Sequence, residues 1–234
     1  MGVLKLKLTI AYDGFQYKGW QVQKSGITVQ QKIEEALQKL FPSVDRVHSS
    51  SRTDTGVHAR GMVAHVEIEK DEYRIGELKL RLALNAFLPD DVSVLEVKRV
   101  PANFHARFDA TGKQYRYMIW NHPVSNPLTR HTSWHVSRNL DLADMQKAAK
   151  YFIGKHDFSA FAVKREYEMR STVRVVTNCK FYKKDSMLTC VIEGEGFLYK
   201  MCRGIVGTLI EVGTGKLNPI DIQNILKSCD RSKA

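Results

Sequence analysis

Between Val3 and Tyr12 the chain alternates with a period of two. Leu4, Leu6, Leu8, Ile10 and Tyr12 fall on one face, and Lys5, Lys7 and Thr9 on the other. A segment with this pattern is a strand with one face in a core. Asp13-Gly14 then ends it as a turn. A stripe at helical spacing follows, made of Val29, Ile33, Ala36, Leu37 and Leu40. Thr28 introduces it as an N-cap, Gln31 three residues on completes a capping box, and Phe41-Pro42 closes it. Further signals are a short strand at 44–48, a strand through Met62, Ala64 and Val66, and a second helical stripe through Leu78, Leu82 and Ala86. A turn at Leu88-Pro89-Asp90-Asp91 and a strand at 92–97 complete the set. Residues 3–98 thus read β-α-β-β-α-β, the split β-α-β or ferredoxin-like order. His65 reads most simply as a strand-surface histidine.

A polar segment at 49–60 interrupts these elements. Within it, Arg52 and Asp54 stand two residues apart and Gly56 follows. One reading is a connecting turn, with Asp54 bonding its own backbone and Gly56 supplying a positive φ. The other is a carboxylate set on a loop between rigid elements and held by Arg52. Tyr17, Trp20 and Gln21 lie in an earlier Gly- and Gln-rich loop, where aromatic side chains serve either as lids on a core or as stacking surfaces for bases.

The second half carries a β/α pattern without a sequence repeat of the first. The expected division is an N-terminal domain at 1–100 and a C-terminal domain at 101–234. Residues 100–110 are too rich in aromatic side chains for a free linker, and His105, Arg107 and Asp109 are candidates for RNA or loop contacts. A strand runs from Gln114 to Trp120, with Tyr115 and Tyr117 on one face. Trp134 is expected to be buried. A helix bears Leu142, Met145, Ala149 and Phe152. Strands at 173–182 and 187–193 join as a hairpin. The charged stretch 164–171 is a solvated loop or a phosphate-contacting flap. In the run 197–209, Gly204 and Gly207 lower helix stability and are tolerated where something packs closely against them. Arg203 is the only charge in the middle of that helix, either snorkelling at the surface or paired in the interior with a carboxylate.

The net charge is +11, and most of the excess lies in 101–234. Such an excess suggests a polyanionic partner, with nucleic acid favoured. The four cysteines, Cys179, Cys190, Cys202 and Cys229, form no CxxC and read as reduced, buried residues of a cytosolic protein. Nothing resembles a signal peptide or a membrane span. No metal-ligand spacing, Gly-rich cofactor loop or Ser/His/Asp spacing is present. That argues against a methyltransferase and leaves cofactor-free chemistry on a carboxylate, or plain RNA binding without catalysis.

The block Arg52-Thr53-Asp54-Thr55-Gly56-Val57-His58-Ala59 resembles the active-site motif of the tRNA pseudouridine synthase A family. Four other features are similar to the family in the same order. They are Tyr12-Asp13-Gly14 with Gly19-Trp20-Gln21, His105-Ala106-Arg107-Phe108 before Lys113, Tyr115 and Tyr117, Ser171-Thr172-Val173-Arg174, and Arg203. The resemblance implies an α+β fold of two ferredoxin-like subdomains with mainly antiparallel sheets, in which this chain lacks the family's usual final strand. It implies conversion of uridine to pseudouridine at positions 38, 39 and 40 of the anticodon arm of tRNA, by a cytoplasmic homodimer, without metal or other cofactor. It implies Asp54 as nucleophile or base, Arg203 as the partner that keeps it ionised, and Tyr115 as the stacking platform for the detached base. Arg52 or His58 would fill the gap left by the flipped uridine. Further RNA contacts are expected from Arg60, His105, Arg107, Lys113, Arg170 and Arg174.

Overall fold

The computed structural model describes residues 2–163 and 171–234; Arg170 and most of the charged stretch before it lie outside the described residues. The chain is α+β and divides into two compact units, Met1–Ala110 and Thr111–Ala234.

Unit 1 follows the expected order: β1 (Val3–Tyr12), α1 (Val29–Gln38), β2 (His48–Ser49), β3 (Ala59–Glu69), α2 (Glu77–Phe87) and β4 (Val92–Val100). The antiparallel sheet has the ferredoxin-like order β2-β3-β1-β4. One face carries Leu6, Leu8, Ile10, Ala64, Val66 and Val94 against Ile33 and Leu37 of α1 and Leu80 and Leu84 of α2. Burial of each of these larger side chains stabilises the unit by about 1.5–3 kcal/mol. The fully buried Thr28 caps α1, its hydroxyl accepting from the Gln31 amide at 3.4 Å. The Gln31 side chain does not close the box and donates instead to Glu35.

Two expectations in this unit are corrected. In α2, leucines alternate, so two helical stripes compete. The one turned inward holds Leu80 and Leu84, while Leu78 and Leu82 are exposed. The strand expected at 44–48 pairs only at His48–Ser49.

Both register irregularities of β1 fall at its Tyr12 end. Against β3 the shift lies between Ile10 and Tyr12, and against β4 between Thr9 and Ile10. Bulges of this kind re-aim side chains near functional loops. The opposite face of the sheet is covered in part by the segment 101–109. Lys5 Nζ donates to the Phe104 carbonyl at 3.0 Å, and the Ala106 amide donates to His65 Nδ1 at 3.1 Å. His65 is therefore a core residue, 2% exposed, and not the surface histidine its strand position suggested. Burial, reinforced by His105, His48 and Lys5, pulls its pKa down to about 4, so the imidazole is neutral and accepts at Nδ1.

Unit 2 contains β5 (Lys113–Asn121), β6 (Trp134–Val136), α3 (Leu142–Lys150), β7 (Gly154–Asp157), β8 (Val173–Lys184), β9 (Met187–Gly194), α4 (Met201–Gly213) and α5 (Asp221–Ser228). Its sheet order is β6-β5-β9-β8-β7, antiparallel except for the β5–β6 pair. Ile119, Cys190, Ile192 and Phe181 pack with Met145 of α3, Phe152 just past its end, and Ile205, Val206 and Leu209 of α4. Asp141 caps α3 by accepting from the Asp144 amide at 2.9 Å. Gly204 has the packing reason anticipated for it, because a Cβ there would come 2.6 Å from the Phe161 carbonyl oxygen; at Gly207 nothing lies within 4 Å. Trp134, expected in the core, is 42% exposed on the edge strand β6.

All four cysteines are free thiols. Cys179 and Cys190 are buried, Cys202 is partly buried, and Cys229, against expectation, is exposed past the end of α5. A bond with Cys179, together with burial, raises the Cys190 thiol, and burial raises that of Cys202. Neither is a thiolate nucleophile at neutral pH.

Candidate active site

The loop holding Asp54 is built by contact between two backbones. Gly14 and Gly19, on the loop after β1, face it at van der Waals limits. A Cβ on Gly14 would lie 2.0 Å from the Val57 carbonyl oxygen, and one on Gly19 2.7 Å from that of Thr53. Gly19 also has φ +88°, which favours glycine. Three hydrogen bonds lace the loops together. The Trp20 amide donates to Thr53 O at 3.1 Å, the Gly56 amide to Tyr17 O at 3.3 Å, and the Tyr12 hydroxyl lies 2.8 Å from Thr53 Oγ1. The Val57 amide closes the turn on Asp54 O at 3.1 Å, with Gly56 at φ +75° as expected.

Side chains buttress the supporting loop. Trp20 is 1% exposed and its ring packs 5.9 Å from that of Tyr12, which decides for a core role over a stacking surface. The Tyr17 hydroxyl donates to Asp91 Oδ1 at 2.6 Å. Burial and that carboxylate push its pKa well above the ordinary range, so it keeps its proton. His58 Nδ1 lies 2.8 Å from Asp13 Oδ1 and 3.2 Å from the Gly14 amide. One nitrogen cannot both donate and accept, and the shorter carboxylate contact makes it the donor. His58 is thereby tied to the scaffold.

Asp54 itself is half-buried, and its carboxylate has no hydrogen-bond or ion-pair partner within unit 1 among the described residues. The expected support from Arg52 is absent: Arg52 is exposed and forms no ion pair with it. The sequence carries one more cue to this arrangement than the acidic motif, namely the Tyr12-Asp13-Gly14 and Gly19-Trp20 blocks. Their positioning roles for Tyr12, Asp13 and Tyr17 were not assigned from it.

The remaining candidates belong to both units. Arg60 is exposed in the bulged start of β3, and His105 and Arg107 lie on the segment 101–109. In unit 2, Lys113 and Tyr115 lie on β5, with Tyr115 partly buried and edge-on to Phe197 at 5.1 Å. Tyr117, not Tyr115, packs against the core. Arg174 is partly buried on β8, its guanidinium turned back to the Ser171 and Val173 carbonyls at 3.1 and 2.6 Å. Arg203 lies in the first turn of α4 and is exposed, so the interior position suggested by its apolar neighbours is not the one it occupies in unit 2. Just before it, Lys200 has φ +59°, a left-handed conformation uncommon outside glycine. Among the described residues no group of three or more His, Cys, Asp or Glu is arranged to hold a metal ion, and no helix is long and apolar enough to cross a membrane.

The family model for tRNA pseudouridine synthase matches residues 8–109 and 148–234. The chain belongs to the tRNA pseudouridine synthase family. It is 47% identical over 231 residues to the tRNA pseudouridine synthase A of Ruminiclostridium cellulolyticum, covering 98% of this chain and 93% of that protein. The enzyme of the same name from Acetivibrio thermocellus is 44% identical over 229 residues, covering 98% and 92%. That from Geotalea daltonii is 43% identical over 230 residues, covering 97% and 91%. The α+β fold with two sheet-containing units is consistent with that family.

Proposed function

We propose that the chain isomerises uridine to pseudouridine in the anticodon arm of tRNA, at positions 38, 39 and 40, with Asp54 at the reacting centre. The observation that carries this reading is the Asp54 carboxylate, uncommitted within unit 1 on a backbone pinned from both sides. The reaction is a rearrangement: the N1–C1′ bond breaks, a C5–C1′ bond forms, and the C5 proton is exchanged for one on nitrogen. Asp54 attacks C1′ or C6 as nucleophile, or removes the 2′ proton to give a glycal. Either role needs an ionised carboxylate held to within about 0.5 Å, which the two-loop construction supports.

Arg203 is assigned as the ion-pair partner of Asp54 in the complex, and Tyr115 as the surface on which the detached base turns. Of the two candidates for filling the gap left by the flipped uridine, Arg52 is preferred. It is exposed and uncommitted, whereas His58 is held by Asp13. Arg60, Lys113 and Arg174, with Arg170, are assigned to the RNA backbone, in keeping with the +11 charge. A cytoplasmic homodimer with tRNA across both subunits completes the reading.

The test is an assay of pseudouridine in an unmodified tRNA transcript, comparing the chain with Asp54→Asn. Product from the first and none from the second is expected. Equal product from both would remove Asp54 from the reaction. Salt-sensitive binding with no product from either would leave an RNA-binding protein.

A further inference from the structure

Away from the Asp54 loop, unit 1 holds a chain of rings that runs from the sheet to the solvent. His48 and His65, opposite each other on β2 and β3, stack with centroids 5.0 Å apart and planes at 18°. His105 stands edge-on to His65 at 4.8 Å, and Phe108 lies over His105 at 4.2 Å and 31°. Phe108 ends the series and is 75% exposed.

This exposed ring does not sit on a free coil. His105 Nδ1 accepts from the Arg107 and Phe108 amides at 3.2 and 3.4 Å, and the His105 amide donates to Asp109 Oδ2 at 2.8 Å. The Phe108 and Asp109 amides close on the His105 carbonyl at 3.1 and 2.9 Å. The turn is in turn fastened to the sheet through Ala106 and His65. A phenylalanine held rigidly in water is poised for a partner, because the entropy of ordering it is already spent.

Charge decides what kind of partner. The acidic groups nearby are engaged: Asp109 in the turn, Glu67 with Lys5 at 3.0 Å, and Glu96 with Lys98. Arg107, beside the ring at 5.9 Å, and Lys7, cross-strand neighbour of His65, form no ion pair among the described residues. An aromatic face with the Arg107 guanidinium beside it fits a nucleobase with its phosphate.

We infer that Phe108, backed by His105 and flanked by Arg107, is a stacking platform for one unpaired nucleotide of the bound RNA. It rests on the proposed tRNA substrate.

The test uses the full chain and an unmodified tRNA transcript with Phe108→Ala and Phe108→Trp. Losing one stacked base weakens binding by roughly 5- to 150-fold. Phe108→Ala is expected to weaken it within that range and leave the salt dependence unchanged, since no charge is lost, whereas Arg107→Ala lowers the salt slope. Phe108→Trp is expected to bind as the parent does, with its added emission quenched by tRNA. Phe108→Ala binding within twofold of the parent overturns the inference, as does Phe108→Trp emission unaffected at saturating tRNA. Quenching that grows with protein concentration without RNA would assign the ring to a contact between chains, and also overturns it. If Phe108→Ala melts at a lower temperature, the Phe108→Trp emission decides. Binding is read separately from product. An active Asp54→Asn with an intact Phe108 effect would sink the catalytic assignment alone, and an inactive Asp54→Asn with no Phe108 effect would sink the platform alone.

Discussion

The two units share a skeleton and use it differently. In unit 1 the strands run β2-β3-β1 across the sheet, with α1 after the first strand and α2 after the third. In unit 2, β8-β9-β5 repeats that arrangement, with α3 after the first and α4 after the third. The differences lie at the two edges: unit 2 adds β7 outside β8, and the strand beside the first is of another kind. Unit 1 fills that place with antiparallel β4, which follows α2. Unit 2 fills it with parallel β6, which is reached from β5 through the connection 122–133 and precedes α3. A parallel neighbour requires a crossover of about a dozen residues, and that connection supplies it. The residues proposed for the site differ in the same sense. Unit 1 presents Asp54 on irregular backbone held by backbone, so glycines determine its position. Unit 2 presents Tyr115 and Arg203 from a strand and a helix, where the element itself does the positioning. One lesson is that the same fold can carry function in its main chain or in its side chains, and substitutions should tell the two apart.

The largest effect is expected at Gly14. A methyl group there must push the Val57 carbonyl away and move Asp54 with it. Gly14→Ala should lower the single-turnover rate by about 10²-fold or more, with a further 1–3 kcal/mol lost from stability. A normal rate would show that the loop is not held by this contact. Next comes Arg203→Ala, which should slow turnover by about 10²-fold while moving stability by no more than about 0.5 kcal/mol, since the side chain is exposed. A large fall in melting temperature would instead make Arg203 a structural residue and dissolve the contrast.

A third effect is particular to unit 1, whose covered sheet face rests on a neutral imidazole. The unfolded chain takes up a proton on His65 near its ordinary pKa, and the folded chain only near about 4. Between those values the unfolded state binds more protons, so stability falls as pH is lowered, by a total of about 3 kcal/mol. Urea midpoints measured from pH 7 to pH 4 should show this slope. His65→Asn, which retains an acceptor for the Ala106 amide, should flatten it; an unchanged slope would assign the dependence to other groups.

The smallest effects lie within α4 and have opposite signs. Gly204→Ala should cost about 1–3 kcal/mol through the Phe161 carbonyl. Gly207→Ala, with open space around it, should stabilise by about 0.5–1 kcal/mol. Equal signs would mean that the close approach at Gly204 is not real packing.

These contrasts also show what was legible in the sequence. The period-two run of β1, the Thr28 and Asp141 caps and the order of unit 1 depend on local pattern, and local pattern is printed in the chain. The Asp54 loop was found by its motif. What escaped depends on residues far away in sequence. Periodicity says which face His65 shares, but not that 101–109 folds over that face. It offers two equivalent stripes in α2 and does not choose between Leu78 and Leu80. Trp134 looked like a core residue because of its size, yet its strand pairs at the sheet edge. Arg203, amid apolar neighbours, leaves a surface and an interior position both open, and it is the first turn of α4 that puts it in water. Nor does any short-range signal connect His48 with Phe108.

The central place of β1 has a consequence for synthesis. It emerges before both of its neighbours, since β3 and β4 begin only at Ala59 and Val92. At about 5–20 residues per second, it waits several seconds for its second partner. During that time Leu4, Leu6, Leu8 and Ile10 form a row that other nascent chains could pair with. Lys5 and Lys7, interleaved among them, put like charges on every such pairing. The alternation that places one face in the core thus also guards the strand until that core exists.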